Sequence, residues 1–309
     1  MTISDTDLDV IIIGCGPAGM SAALWSQELG LRPVILESES EAGGQLLSTF
    51  NPITNYLGVE AGNGTELRDL FTRQLEERGL RPFLGDPVVG IDPVKMSVRL
   101  ESGKTVRARG MIAAMGVRRR RLGVSGEQEF VGRGVISSGK RDALGAYGKD
   151  AVIIGGGDAA FENVLIIGEF ARSVTLIHRR EGFSARDEFV EKVRAHPKAL
   201  IRTNCAVRSI DGDDRVTGVT IEDLATGDLA RVPAEIVLIR IGVEPNTDIL
   251  NGVVDLDPAG YVMVDRDCRT SRPGIYAVGD CAFPASPTVS TAVGSGATAA
   301  KSLHTWLNR

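Results

Sequence analysis

The chain has 309 residues, a formal net charge of -5, 43% hydrophobic and 24% charged residues, and 37 glycines. That length gives room for about two domains with cores of their own and excludes a disulfide-stapled miniprotein, while the composition excludes disorder and coiled coil. The acidic balance repels nucleic acid and anionic membranes, so neither is expected as a partner.

From Asp9, DVIIIG predicts a short strand that runs into Gly14-Cys15-Gly16-Pro17-Ala18-Gly19, followed by a helix over MSAALWSQELG and a second strand in RPVILE. Glycines at that spacing allow a tight turn, close approach of backbone N–H groups to a pyrophosphate, and close helix-on-strand packing. Glu37 closes the second strand 23 positions after Gly14 (37 minus 14). A carboxylate there accepts from both ribose hydroxyls and favours an adenosine ribose without a 2′-phosphate; the alternative is a solvated strand end.

Asn63-Gly64 reads as a turn, and Glu66 to Arg78 as a charged amphipathic helix with a solvated face. SVRLES and TVRARGM predict small hairpins. Arg118 to Arg121 form a run of four arginines: a solvated linker, a docking patch for an acidic electron carrier, or a contribution to nucleotide capture.

The strand-turn-helix-strand pattern returns in DAVIIGGGDAAFENVLIIGEFARSVTLIHRR, with Gly155, Gly157 and Ala160 in the GxGxxA positions around Asp158 and Ala159. Twenty-three positions after Gly155 stands His178, followed by Arg179 and Arg180, so the charge sign is reversed. Arginine forks pair with a 2′-phosphate, and the second site is expected to prefer NADPH to NADH; the alternative is a solvated arginine pair. His196 before Pro197 reads as a helix-end surface residue, VTGVTIEDLATGDLARVPAEIVLIRIG as further hairpin strands, and Asp257-Pro258 as a turn. In the last third, RPGIYAVGD predicts a strand ending in Gly279-Asp280, then a small-residue helix starting near Thr291. Such an aspartate can bind a ribityl hydroxyl of a flavin while the helix N-terminus faces the isoalloxazine; the alternative is a simple turn or helix-approach residue.

The four cysteines, Cys15, Cys205, Cys268 and Cys281, include no CxxC and match neither a zinc site nor a disulfide framework, so no metal is expected. Cys205 and Cys268 fall in strand-like runs. No apolar run approaches a membrane span, and MTISDTDLDV has no basic n-region or cleavage site, so a cytoplasmic protein with reduced thiols is expected.

The order of these features resembles the low-molecular-weight thioredoxin reductase family over nearly the whole chain. The resemblance is carried by GCGPAG (14–19), GGQL (43–46), Asn55-Tyr56 before Gly58, GGGDAA (155–160), HRREGF (178–183), GVEPNT (242–247) and YAVGDC (276–281). It implies an α/β protein of two Rossmann-like, three-layer dinucleotide-binding domains, with an NADPH domain (114–246) inserted into an FAD domain (1–113 and 247–309). It also implies a homodimer. FAD would be held by Gly14, Gly16, Pro17, Ala18, Gly19, Glu37, Gly44, Gln45, Leu46, Asn55 and Asp280. NADPH would be held by Gly155, Gly157, Asp158, Ala159, Ala160, His178, Arg179 and Arg180.

The chain departs from that family at the chemistry. Where thioredoxin reductases read like GVSYCATCDG, residues 134–143 read GVISSGKRDA, which puts Ser138 and Arg141 in the cysteine positions and leaves Asp142 in place of the proton-handling aspartate. Neither serine nor arginine forms a disulfide, so reduction of thioredoxin by the usual relay is not expected. The remaining candidates for chemistry are Cys15, Cys281 and Asp142, with a packing role as the alternative for both thiols. Bacillithiol-disulfide reductases also lack CxxC, but the position of their cysteine after the glycine-loop proline is Ala18 here. Ferredoxin or flavodoxin NADP reductases of this type likewise dispense with the dithiol. Their C-terminal flavin-covering extension has no counterpart after AAKSLHTWLNR, neither His304 nor Trp306 being assigned its role, and Pro287-Thr288 replaces the family's Arg-Gln pair. The arginine that usually follows Phe183 is Ser184, with Arg186 as the nearest substitute. The resemblance therefore implies an NADPH- and FAD-dependent oxidoreductase serving an external acceptor. A ferredoxin or flavodoxin carrier leads, a small disulfide or quinone follows, and a flavin-binding sensor is the reading from another class.

Overall fold

The computed structural model describes residues 8–309. In chain order its strands and helices are β1 (Val10–Ile13), α1 (Pro17–Glu28), β2 (Pro33–Leu36), α2 (Gly64–Glu77), β3 (Val88–Asp92), β4 (Ser97–Leu100), β5 (Thr105–Arg107), β6 (Gly110–Ala113) and β7 (Val117–Arg119). There follow β8 (Val135–Ile136), α3 (Gly139–Asp142), β9 (Asp150–Gly155), α4 (Asp158–Gly168), β10 (Ser173–Ile177), α5 (Asp187–Arg194), β11 (Ala199–Arg202), β12 (Cys205–Gly212), β13 (Val216–Asp223) and β14 (Leu229–Pro233). The last elements are β15 (Ile236–Arg240), β16 (Val243–Pro245), β17 (Ile275–Ala277) and α6 (Val289–Leu307). Two compact units divide the described residues: 8–118 with 244–309, and 119–243.

In the first unit the β-branched run of β1 forms the middle of a parallel sheet in the order β17-β6-β1-β2. Alternation along that strand splits the core. Val10 and Ile12 pack with residues of α1 and α6, whereas Ile11 and Ile13 pack with Val98, Leu100 and Val106 of the antiparallel sheet β3-β4-β5. Three layers result, each apolar face of the central sheet covered by a different neighbour.

The second unit repeats the plan with a parallel sheet in the order β11-β10-β9-β15-β8. Ala151 and Ile153 face Phe161, Val164 and Ile167 of α4, while Val152 and Ile154 face Val219, Ile221 and Val232 of the antiparallel sheet β12-β13-β14. Both units are the three-layer α/β folds that the glycine motifs lead one to expect.

Local details differ from the sequence reading. Asn63-Gly64 is not a free turn but the start of α2: the Asn63 side chain accepts from the Glu66 amide at 3.0 Å, and Glu66 accepts in return from the Gly62 amide at 2.7 Å. That reciprocal capping absorbs the amides that a turn would leave to water. Cys268 lies outside any strand, at φ 63° after a turn. Helix α6 begins two residues before Thr291, with Thr288 as its cap accepting from the Thr291 amide at 3.1 Å. Trp306 belongs to the first unit's core and packs against Gly274.

Candidate functional site

In the first unit, β1 delivers the chain to Gly14 at φ 104°, where a Cβ would lie 2.4 Å from the Ala114 carbonyl oxygen. Only glycine accommodates that turn. A Cβ on Gly19 would lie 2.0 Å from the Gly14 carbonyl oxygen, so this glycine seats the helix on the loop. Gly16 is different: nothing but the Gly44 Cα, at 3.9 Å, stands near its missing Cβ, which leaves an open cradle between two glycines. Gly16 caps α1 without a side-chain partner, and Pro17 follows at the first helical position, where its missing N–H costs nothing. The amides at this helix end are thus left for an anion.

Two carboxylates stand at the cradle. Glu37, 8% exposed, accepts from the Cys15 amide at 2.7 Å, from the Ser38 hydroxyl at 3.1 Å and from the Glu39 amide at 3.0 Å. It makes no ion pair among the described residues, so its charge is held by neutral donors that leave lone pairs for hydroxyls. Gly279, at φ 68°, brings the Asp280 turn against Ala18, whose Cβ lies 2.9 Å from where a Gly279 Cβ would stand. The half-buried Asp280 carboxyl is pushed above the usual aspartate range by burial, with no compensating partner among the described residues. A carboxylate that lacks a partner at the mouth of a glycine cradle fits a polyhydroxylated ligand. Gln45 instead donates to the Val117 carbonyl at 2.6 Å, Leu46 is buried under α2, and Asn55 is exposed.

The second unit builds its cradle in the same way. Gly155 stands at φ 154°, where a Cβ would lie 2.1 Å from the Arg240 carbonyl oxygen. Gly157 caps α4 without a side-chain bond, and Ala160 is fully buried in the helix-on-sheet contact. His178 lies over the loop, its Cε1 2.2 Å from where a Gly156 Cβ would be, and its Nε2 is 3.1 Å from the Gly182 carbonyl. Burial and the neighbouring Arg180 and Arg179 lower its pKa against the bond to Gly182, so the imidazole is neutral at pH 7. Arg179 and Arg180 are exposed and without an ion pair among the described residues, which leaves both forks available to a phosphate.

Arg186 does not take the place of the missing arginine. Its amide and Nε donate to Asp158 at 2.7 and 2.8 Å, it reaches Glu188 at 3.3 Å, and it stacks on the Phe189 ring at 4.6 Å. Its role is to neutralise a carboxylate at the start of α4. Ser184 folds back on the loop, its amide donating to the Gly156 carbonyl at 2.9 Å.

Around residues 137–142 the chain forms a closed polar knot. Ser138 caps α3 by accepting from the Arg141 amide at 3.2 Å, and its own amide donates to Asp142 at 3.1 Å. Arg141 grips Asp142 through Nε at 2.7 Å and Nη2 at 3.0 Å, and reaches the Ser137 hydroxyl at 2.6 Å. Burial would raise the Asp142 carboxyl, but the bonds from Arg141 and the Ser138 amide outweigh it and hold the pKa low. Asp142 is thereby an ion-paired carboxylate at neutral pH, with no proton to donate.

All four cysteines are buried and free. Burial pushes the Cys15 thiol up to about 12, reinforced by Glu37, and the Cys281 thiol up to about 11. Cys268 is likewise raised to about 12. Thiols held protonated at neutral pH are poor nucleophiles. No group of three metal-binding side chains occurs among the described residues, and no helix among them is long and apolar enough to cross a membrane.

The four-arginine run proves to be divided. Arg118 is held by Glu244 at 2.8 Å and Asp248 at 2.7 Å, and Arg120 donates to the Val243 carbonyl at 2.9 Å. The side chain of Arg119 makes neither kind of bond among the described residues. Arg240, in a stretch that the sequence reads as hairpin strands, ends instead a strand parallel to β9, stands beside Gly155 and donates to the carbonyls of Ile239 and Ser137. Of its two partners, Ser137 lies 103 positions away, too far in sequence for a local signal to have marked it.

Two three-layer units, each with a glycine cradle at the end of a parallel strand, define a protein of the double dinucleotide-binding class. The chain belongs to the pyridine nucleotide-disulphide oxidoreductase family, whose sequence profile matches residues 8–296. It is 37% identical to a thioredoxin reductase of Mycolicibacterium smegmatis over 313 aligned positions, which cover 99% of each chain. Among solved structures it is similar to the thioredoxin reductase of Lactococcus lactis, at 30% identity, a TM-score of 0.84 and coverage of 97% and 99% of the two chains. The thioredoxin reductase of T. acidophilum matches at 32% identity and a TM-score of 0.83, over 98% and 99% of the chains. The protein is thus an oxidoreductase of thioredoxin reductase-like fold, and its cofactors are FAD and NADPH.

Proposed function

We propose that this protein carries electrons from NADPH through FAD directly to an external acceptor, without a dithiol relay inside the subunit. The observation that carries this reading is the polar knot at 137–142. Where relatives of this type place two cysteines, Ser138 is committed as a helix cap and Arg141 as the partner of Asp142. In this reading the first unit holds FAD. The amides at the start of α1 and the Gly16–Gly44 opening take the pyrophosphate, Glu37 the adenosine ribose and Asp280 a ribityl hydroxyl, while Gly44, Gln45, Leu46 and Asn55 line the binding region. The second unit holds NADPH, with its pyrophosphate on 155–160 and its 2′-phosphate on Arg179 and Arg180. Bound FAD supplies the hydride-accepting and electron-donating chemistry. The chain's own residues orient both dinucleotides and keep the Cys15 and Cys281 thiols protonated and out of the reaction.

A small acidic carrier of the ferredoxin or flavodoxin class leads among acceptors, because such a carrier needs only reduced flavin and an approachable ring edge. A low-molecular-weight disulfide or a quinone comes second, and a sensor with little turnover is the reading from a different class. The protein works in this account as a cytoplasmic homodimer. Rapid mixing with NADPH, followed by a panel of ferredoxin, flavodoxin, thioredoxin, small disulfides and quinones, tests it. Flavin bleaching at a catalytic rate and reoxidation by a member other than thioredoxin are expected. Rapid reoxidation by thioredoxin would overturn the proposal, and absence of bleaching would leave the sensor.

A further inference from the structure

The helix ends at the two cradles differ in one charge. The first turn of α1 carries no acidic residue, whereas α4 opens on Asp158. A carboxylate in the first turn of a helix stabilises the positive end of the helix dipole, which is what a bound pyrophosphate would otherwise do. Asp158 is therefore a built-in rival of the ligand unless its charge is met from elsewhere. Arg186 meets it. The Arg186 amide donates to Asp158 Oδ1 at 2.7 Å and its Nε to Asp158 Oδ2 at 2.8 Å. These bonds, that from the amide first, hold the carboxyl below the usual aspartate range, so it is charged at neutral pH.

The same stretch fastens the loop after β10 to the glycine loop. The Ser184 and Ala185 amides both donate to the Gly156 carbonyl, at 2.9 and 3.1 Å, and the Arg186 amide continues the row onto Asp158. Glu188, at 3.3 Å, and the Phe189 ring, its centroid 4.6 Å from Cζ, hold the Arg186 guanidinium from two further sides. A side chain engaged in this way is not a loose phosphate ligand. We propose that Arg186 is a positioning residue for the pyrophosphate of the bound dinucleotide: paired with Asp158, it offsets the one charge that would repel the ligand from the start of α4, and it takes no part in recognising the 2′-phosphate. Two tasks are thereby divided. Arg179 and Arg180 choose between NADPH and NADH, whereas the pair of Asp158 and Arg186 sets the affinity for both. This inference rests on the reading of the second unit as the NADPH site.

Titration calorimetry on the FAD-loaded protein separates the two tasks with two probes: NADP⁺, which carries both the pyrophosphate and the 2′-phosphate, and 2′-AMP, which carries the 2′-phosphate alone. Arg186→Gln keeps the backbone amide bond to Asp158, and Asp158→Asn keeps an acceptor for that amide, so each variant changes charge with the loop still fastened. Arg186→Gln is expected to weaken NADP⁺ binding about fivefold and to leave 2′-AMP binding within about twofold of the wild type, the difference being the unmet charge of Asp158 on the pyrophosphate. Adding Asp158→Asn to it is expected to return NADP⁺ binding to within about twofold of the wild type, because no carboxylate is left to repel the ligand. Binding of NADP⁺ that stays weak in the double variant overturns the proposal, since Arg186 would then touch the nucleotide itself. Weakened 2′-AMP binding in Arg186→Gln overturns it as well, as does unchanged NADP⁺ binding in that variant. A wild-type protein that binds neither probe overturns the reading of the second unit as the NADPH site, and the proposal with it.

Discussion

The two cradles of this chain are alike in backbone and opposite in charge. Gly14 and Gly155 both sit where a Cβ would strike a carbonyl oxygen, at 2.4 Å and 2.1 Å, and both lead to a helix capped by a glycine. Beyond the second strand the first unit buries Glu37 among neutral donors, whereas the second folds a neutral His178 over the loop and leaves Arg179 and Arg180 in solvent. In the proposed reading, glycine geometry creates room for a pyrophosphate, and the next strand's end selects the ribose that follows it. Backbone shape and ligand choice are therefore separable by mutation.

The largest effect is expected from the backbone. Gly14→Ala forces an L side chain into φ 104° against backbone and should cost more than about 2 kcal/mol in denaturant unfolding. Gly16→Ala meets no atom closer than 3.9 Å, so it should fold normally yet release FAD on gel filtration, because its methyl fills the cradle. Equal stability losses for the two would erase the distinction between turn glycine and cradle glycine. Next comes charge. Replacing Arg179 and Arg180 together by Ala should weaken NADPH binding about 100-fold, as two charge-assisted contacts disappear, and NADH binding less than about threefold. Equal losses for the two nucleotides would contradict a 2′-phosphate role.

The smallest effect belongs to the knot at 137–142. Asp142→Asn should destabilise the second unit by about 1 kcal/mol at pH 7, since the Arg141 pair is partly exposed. The folded carboxyl lies below its ordinary value of 3.8, so the stabilisation is complete above that value and fades as the pH falls through the folded one. Urea titrations of wild type and variant should converge in acid; a gap that persists there would mean packing, not charge, holds the knot.

Much of this molecule was readable from its letters because its key elements are local. A β-branched run, glycines at fixed spacing and an apolar helix all lie within about thirty residues in each unit, so strand, turn and helix announce themselves together. What stayed hidden depends on partners far along the chain. The run Arg118 to Arg121 looks uniform, yet Glu244 and Asp248 claim Arg118 from 126 and 130 positions away. Arg186 looked like a spare phosphate ligand until Asp158, 28 positions earlier, took its guanidinium. Asn63-Gly64 misled for a different reason: the same residue types serve turns and helix caps, and only the reciprocal bond to Glu66 decides.

Anaerobic titration of the purified holoprotein with dithionite, followed by its flavin absorbance, tests the direct route most simply. Uptake should end at one two-electron equivalent per bound FAD, with all four thiols alkylated equally before and after reduction once the protein is unfolded. A second equivalent, accompanied by two newly alkylated cysteines within one subunit, would contradict the account.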